Sequence, residues 1–293
     1  MRKVWLLISA LLFGMGAFCF SGIDVPHFKS ARAQLPLTGA GAGAPQTNIF
    51  HPTDAGANLW MWYDASVSAS LTLSGSNVTA WADQSSNSNN AGVGGGSPTY
   101  SSTGWDGSSQ AAVSVSAGPY VVFGSVSGNQ NASWTILLCS QGSLATGSNS
   151  QRIASIFDNS NDDDVDSTYL AFVAGDTGGL WYAYNNTPGT IPSGGASYDT
   201  NKTVLGWTFD GGGAGIQAYR NGSAVGSPVS ASGVTPLGGS GFVKWAFGNG
   251  GVGLSSPWSG KYAEIVILKG QVLTSTQMQG IYNYFKAKWA GLP

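Results

Sequence analysis

The densest chemistry in this sequence is the run Asp158-Asn159-Ser160-Asn161-Asp162-Asp163-Asp164-Val165-Asp166, with five carboxylates within nine residues. Carboxylates packed that closely repel one another unless water solvates them or a cation neutralises them, and hard oxygen ligands suit Ca2+. Asp158, Asp162 and Asp164 are the expected ligands of such an ion. The run lacks the glycine at the sixth place and the glutamate at the twelfth of an EF-hand loop. A solvated surface turn is the competing and plainer account. The aromatic side chains, 12% of residues, are the second source of chemistry, because a ring can stack its apolar face on a sugar. Trp105, Trp181, Tyr184 and Trp258 lie near turns and are the candidate ligand-binding rings, with core burial as the plainer reading of each. Trp60 and Trp62, two apart on one extended segment, are expected to share a face and belong to the core. Trp134, Trp207 and Trp245 sit in apolar runs and are read the same way.

Acid–base chemistry has little to work with. Glu264 is the only glutamate, and it reads as the acceptor of a structural bond near the end of the domain. The only histidines, His27 and His51, precede the strand-rich region, which argues against a Ser-His-Asp triad and a histidine-based zinc site. Cys139, in Trp134-Thr135-Ile136-Leu137-Leu138-Cys139, reads as a small buried hydrophobe. Charged residues make up 9% of the chain and the net charge is −2, so there is no basic field for nucleic acid.

These residues are carried by a chain that divides in three. Arg2 and Lys3 precede the apolar run Val4 to Phe20, and Ala31-Arg32-Ala33 offers a small-x-small cleavage site. Residues 1–33 are therefore predicted to be a bacterial-type export signal, with an uncleaved N-terminal anchor as the alternative. After cleavage no segment would remain in a membrane, and the protein would be secreted or displayed on the cell surface. Residues 34–57, rich in Gly, Ala and Pro, read as a flexible linker. Residues 58–293 form the folded domain.

Within that domain short apolar runs alternate with Gly/Ser/Asn turns, and helical periodicity is confined to the C-terminus. Glycine, 44 of 293 residues, supplies the tight turns. Asn221-Gly222 between two extended runs marks a hairpin, since both turn residues need positive φ. The near-continuous apolar run 133–139 fits a strand covered on both faces. Thr274-Ser275-Thr276-Gln277 fits a capping box, and Met278, Ile281, Tyr282, Phe285 and Trp289 follow at helical spacing. The predicted fold is all-β: a two-sheet antiparallel sandwich of jelly-roll type, with a C-terminal amphipathic helix laid against it.

The segments Trp60-Met61-Trp62-Tyr63-Asp64-Ala65, Trp81-Ala82-Asp83-Gln84-Ser85-Ser86-Asn87-Ser88-Asn89 and Gly260 to Leu268 resemble, in order and spacing, a laminin-G-like domain of the concanavalin-A-like lectin type. Ser86 and Ser88 stand where that family usually has glycine. The resemblance implies that the first and last strands are neighbours. It also implies a non-enzymatic module that binds a glycan or a cell-surface partner. The alternative is a structural or adhesion component of a surface layer or virion that binds protein, with an Asp-based polysaccharide hydrolase a distant third. Glucanases of this superfold carry paired carboxylates on one strand, which a single glutamate cannot supply. Tyr284-Phe285-Lys286-Ala287 superficially resembles part of an alginate-lyase signature but lacks its His and Arg-x-Glu partners, and Phe285 belongs to the helix stripe.

Overall fold

The computed structural model describes residues 48–115, 120–126, 133–143, 151–158, 170–174, 182–185, 187–190, 201–210, 215–229, 243–248 and 258–293. Residues Gln46–Pro293 form one compact unit. A short 3-10 segment, Pro52–Asn58, leads into β1 (Leu59–Asp64), β2 (Leu71–Ser74), β3 (Asn77–Trp81), β4 (Ala91–Gly95), β5 (Thr99–Ser101) and β6 (Ala112–Val115). Next come β7 (Tyr120–Val126), β8 (Trp134–Ser143), β9 (Gln151–Asp158), β10 (Leu170–Ala174), β11 (Tyr182–Asn185) and β12 (Thr187–Thr190). The chain closes with β13 (Lys202–Asp210), β14 (Gly215–Arg220), β15 (Ser223–Val229), β16 (Val243–Phe247), β17 (Ser259–Lys269) and α1 (Ser275–Lys288).

The pairing is antiparallel throughout. One layer runs β10-β9-β16-β7-β4-β3 and the other β5-β6-β17-β8-β13-β14-β15. They join at the single pair Asn77↔Thr99, where the hydrogen-bonded path turns from one layer to the other. As predicted, first and last strands are neighbours, with Trp62 opposite Val266 and Tyr63 opposite Ile265.

Two cores follow from period-two alternation on the second layer. Ile136, Leu138, Leu205, Trp207, Ile265 and Ile267 face the first layer and meet Val78, Trp81, Ala91 and Phe247. Leu137, Cys139, Val204, Val266 and Leu268 face the other way and meet Met278, Ile281, Phe285 and Trp289 of α1. Both faces are buried, which is why residues 135–139 of β8 and 265–268 of β17 carry near-continuous apolar runs. Thr274 accepts from the Gln277 backbone and Gln277 reaches back to the Thr274 N–H at 3.0 Å, the expected capping box. Asn221 (φ 50°) and Gly222 (φ 79°) form the expected turn between β14 and β15.

The segment before β1 departs from a flexible linker. The ordered unit begins earlier than residue 58, and the 48–50 segment lies across α1. Gly280 makes this approach possible, since a Cβ there would stand 3.0 Å from the Phe50 Cβ and 3.1 Å from the Asn48 carbonyl. Asn283 donates to that same carbonyl at 3.2 Å. His51 thus belongs to the folded domain, where its ring packs edge-on against Trp62 and Tyr284 with centroids 5.5 and 4.7 Å away.

Candidate functional site

Two β-bulges decide which side chains gather. An extra residue in one strand shifts the alternation, so two successive side chains point the same way. The first bulge falls between Leu59 and Met61. It turns Trp60 towards the inter-sheet core along with Met61, while Trp62 faces α1. The expectation that Trp60 and Trp62 share a face is therefore corrected: the bulge puts them on opposite faces. The second bulge lies between Tyr262 and Glu264 of β17 and aims Glu264 at the helix.

The Asp83 segment holds the first bulge in place. The Asp83 carboxylate accepts from the backbone N–H groups of Trp62 (2.9 Å), Ser85 (2.8 Å) and Asn89 (3.0 Å). Asn87 donates to the Leu59 carbonyl at 2.8 Å, and Asn89 donates to that of Trp60 at 2.8 Å. Ser88, one of the two serines standing in for glycine, takes φ 56°, the left-handed conformation a glycine would adopt without strain. The segment is a clamp on β1.

On the helix side Glu264 is fully buried. Its Oε1 accepts from Trp62 Nε1 (2.6 Å) and the Tyr284 hydroxyl (2.8 Å). Its Oε2 accepts from Lys288 Nζ (2.7 Å) and Trp289 Nε1 (2.8 Å). Lys288 also binds Asp64 at 2.5 Å. Burial pushes the Glu264 carboxyl above its ordinary range, against the pull of Lys288, and burial together with the Glu264 charge pushes the Tyr284 hydroxyl up. Four donors occupy both oxygens, so this carboxylate has no lone pair aimed at a substrate.

On the opposite face Trp60 and Trp134 meet edge-on with centroids 4.9 Å apart. Both are half-buried at the rim, and Lys269 Nζ stands 5.2 and 5.6 Å from their rings. Trp134 opens β8 and pairs with Lys269 across the ladder. Burial of the ammonium pulls the Lys269 pKa down. Two half-buried indoles beside an amine form a surface on which a sugar ring can stack while its hydroxyls accept hydrogen bonds from the amine.

A polar cleft of about 600 Å³ opens at the other end of the β8–β13 pair. Gln141, Lys202, Arg220 and Asn221 line it beside Gly291 and Pro293.

The aromatic candidates from sequence fare differently. Trp105 and Trp258 are 2% and 0% exposed, so neither offers a face to a ligand. Trp105 is anchored by Nε1 donating to the Ala290 carbonyl at 3.1 Å and by Trp289, 5.9 Å away. Trp258 lies flat over the backbone of Gly260, where a Cβ would meet its ring at 2.3 Å, and packs on Tyr262. Proximity to a turn does not expose a ring when the turn folds it inward. The backbone of Tyr184 is in the β11–β12 hairpin opposite Pro188; its side chain and Trp181 lie outside the described residues. Of the acidic run, Asp158 ends β9 opposite Val243, while Asp162 and Asp164 lie outside the described residues. Among the described residues no group of three or more His, Cys, Asp or Glu side chains could hold a metal. Sequence reasoning missed Trp60, Trp134 and Lys269, because only the bulge and the end position of Trp134 bring them to the rim.

No family model and no curated protein matches this sequence. Solved structures do resemble it. Domain 4 of AbnA, an extracellular GH43 arabinanase from Geobacillus stearothermophilus solved with arabinotriose, superposes with a TM-score of 0.54 at 15% identity, covering 77% of this chain and 98% of that one. Botulinum neurotoxin type C, whose cell entry depends on interaction with two ganglioside molecules, superposes with a TM-score of 0.53 at 12% identity over 78% of this chain. The botulinum serotype D/C binding domain gives 0.52 and 13% over the same share. This chain spans about half of either toxin chain, 52% in each case. The likeness is one of fold, a β-sandwich.

Proposed function

We propose that this chain is an exported, non-enzymatic glycan-binding module of the laminin-G-like type, gripping sugar at the rim formed by Trp60, Trp134 and Lys269. The observation that carries the reading is that rim cluster, where two indoles and an amine meet on the half-exposed edge of the sandwich. The shared fold supports it, since one similar domain was solved with arabinotriose and one similar toxin depends on gangliosides. The closed hydrogen bonding of Glu264 supports the absence of hydrolytic chemistry. Although His51 lies within the domain, it caps the 3-10 segment, with Nδ1 2.8 Å from the Thr53 hydroxyl. Among the described residues no helix is long and apolar enough to cross a membrane.

A glycan array, followed by calorimetry with arabinotriose and a ganglioside oligosaccharide as first probes, tests the reading. Trp134→Ala and Trp60→Ala are expected to weaken the best ligand at least tenfold, as truncating a tryptophan anchor costs about 2 kcal/mol or more. Unchanged affinity in both would sink it. Calcium bound by Asp158, Asp162 and Asp164 belongs to the same proposal. At a hundredfold excess over Kd, calcium would stabilise the fold by about 2.7 kcal/mol. Identical melting in calcium and EDTA would leave the run a solvated turn.

A further inference from the structure

An ammonium set among indoles occurs twice in this fold, and only one of the two is closed by an anion. On the helix side the Lys288 ammonium meets the carboxylates of Glu264 at 2.7 Å and Asp64 at 2.5 Å. At the rim the Lys269 ammonium touches the rings of Trp60 and Trp134 and, among the described residues, makes no hydrogen bond and no ion pair. Asp210, next along β13 from Trp134's partner Phe209, accepts from the Ser133 hydroxyl at 3.4 Å. All three N–H donors of Lys269 are left for a ligand or for water. Burial against the rings pulls its pKa down, the cost of holding a part-desolvated charge without a counter-ion.

The backbone fixes the three groups before a ligand arrives. Lys269 stands opposite Trp134 in the ladder, and Gly270, the next residue, donates its N–H to the Ser133 carbonyl at 2.7 Å. The Trp60 carbonyl accepts from the side chains of Ser85 (3.1 Å), Asn87 (3.3 Å) and Asn89 (2.8 Å). Binding therefore spends little on ordering the site. A neutral sugar offers Lys269 only hydroxyl oxygens, whereas a carboxylate offers a charged acceptor, whose hydrogen bond is roughly twice as strong. A carboxylate on a ring carbon of a stacked sugar comes within reach of an amine 5.2 and 5.6 Å from the two indole centroids. We infer that the rim selects an acidic sugar, whose carboxylate closes on Lys269 Nζ while its ring stacks on Trp60 or Trp134. The inference rests on the rim being the glycan site and adds the substrate class: the ligand brings the anion that Glu264 and Asp64 supply to Lys288.

The test is calorimetry of the full chain with trigalacturonate and with sialyllactose, each against its own methyl ester, which keeps the ring and removes the charge. At least one acid is expected to bind about tenfold more tightly than its ester, as a charged hydrogen bond allows, and the two acids separate a uronate from a sialate. Lys269→Met should erase that preference by weakening the acid. Lys286→Gln, which removes equal charge from an exposed position on α1, should leave it intact. Trp134→Ala should weaken acid and ester alike. If neither acid binds wild type more tightly than its ester, the inference is overturned, and the glycan reading still stands provided Trp134→Ala weakens the esters. A preference that survives Lys269→Met, or that falls equally in Lys286→Gln, also overturns it. Acid affinity unchanged in both Trp60→Ala and Trp134→Ala breaks the glycan reading itself, and the inference with it.

Discussion

Trp60 and Trp62 stand two residues apart on β1, yet each anchors a tryptophan–lysine cluster on a different face of the sheet. Towards the helix, Lys288 lies 5.9 Å from the Trp62 ring and 5.2 Å from that of Trp289, and two carboxylates hold its charge. Towards the rim, Lys269 lies at similar distances from Trp60 and Trp134, with no hydrogen bond or ion pair among the described residues. The parts are alike; the carboxylates make the difference. A half-buried ammonium held by the buried carboxylates of Asp64 and Glu264 is structure, whereas an ammonium beside two half-buried indoles keeps its donors for something else.

Lys288→Met should break the first cluster hardest. It leaves two carboxylates buried without their cation, at a cost of about 3–5 kcal/mol at pH 7. Part of that loss should return at acid pH as the Glu264 carboxyl, raised by burial, protonates. Lys269→Met, removing a charge that burial already disfavours, should stay within about 0.5 kcal/mol in the same urea melts. Equal losses would erase the contrast.

Trp62→Phe comes next. It deprives buried Glu264 of one donor and should cost about 1–3 kcal/mol while leaving glycan affinity unchanged, the mirror image of Trp134→Ala. A smaller effect comes from pH. Because burial raises the Glu264 pKa above its ordinary 4.5, the folded state holds that proton more tightly than the unfolded one. The stabilisation is complete below about pH 4.5 and is lost as pH rises through the folded-state value. Wild type should therefore gain on Glu264→Gln towards pH 4 and lose ground towards neutrality; the reverse slope would show that Lys288 outweighs burial.

The smallest effect is expected at Ser88, which takes φ 56° in the clamp that fixes the Trp60 bulge. Ser88→Gly removes left-handed strain of about 1–2 kcal/mol but frees the unfolded chain, leaving a gain of a few tenths in thermal melts. A loss would mean that the Ser88 side chain supports the clamp.

What was legible in the sequence was local or periodic. The capping box at Thr274, the Asn221-Gly222 turn and the doubly buried run of β8 each announce themselves within a few residues. The neighbouring first and last strands came through the family resemblance carried by Trp62 and Ile265. The bulges did not show, because an extra residue leaves no mark in composition yet exchanges the faces of everything before it. That is why Trp60 read as sharing a face with Trp62, and why the rim cluster was missed. Trp105 and Trp258 misled for a related reason, since their burial depends on Ala290 and Gly260, far along the chain or hidden beneath the ring. The segment bearing His51 looked like linker because its binding surface, Gly280 and Asn283, lies some 230 residues downstream.

The pairing of β1 with β17 also sets a clock. Lys288 meets Asp64 across 224 positions of chain, so β1 lacks its ladder partner β17 until residues beyond 264 have been made. Until then the segment Leu59-Trp60-Met61-Trp62-Tyr63 has only the Asp83–Asn89 clamp to hold it, and closing so long a loop delays the ladder that would shield it. A nascent chain stalled before residue 264 should therefore be held by chaperones and cut readily by protease within β1.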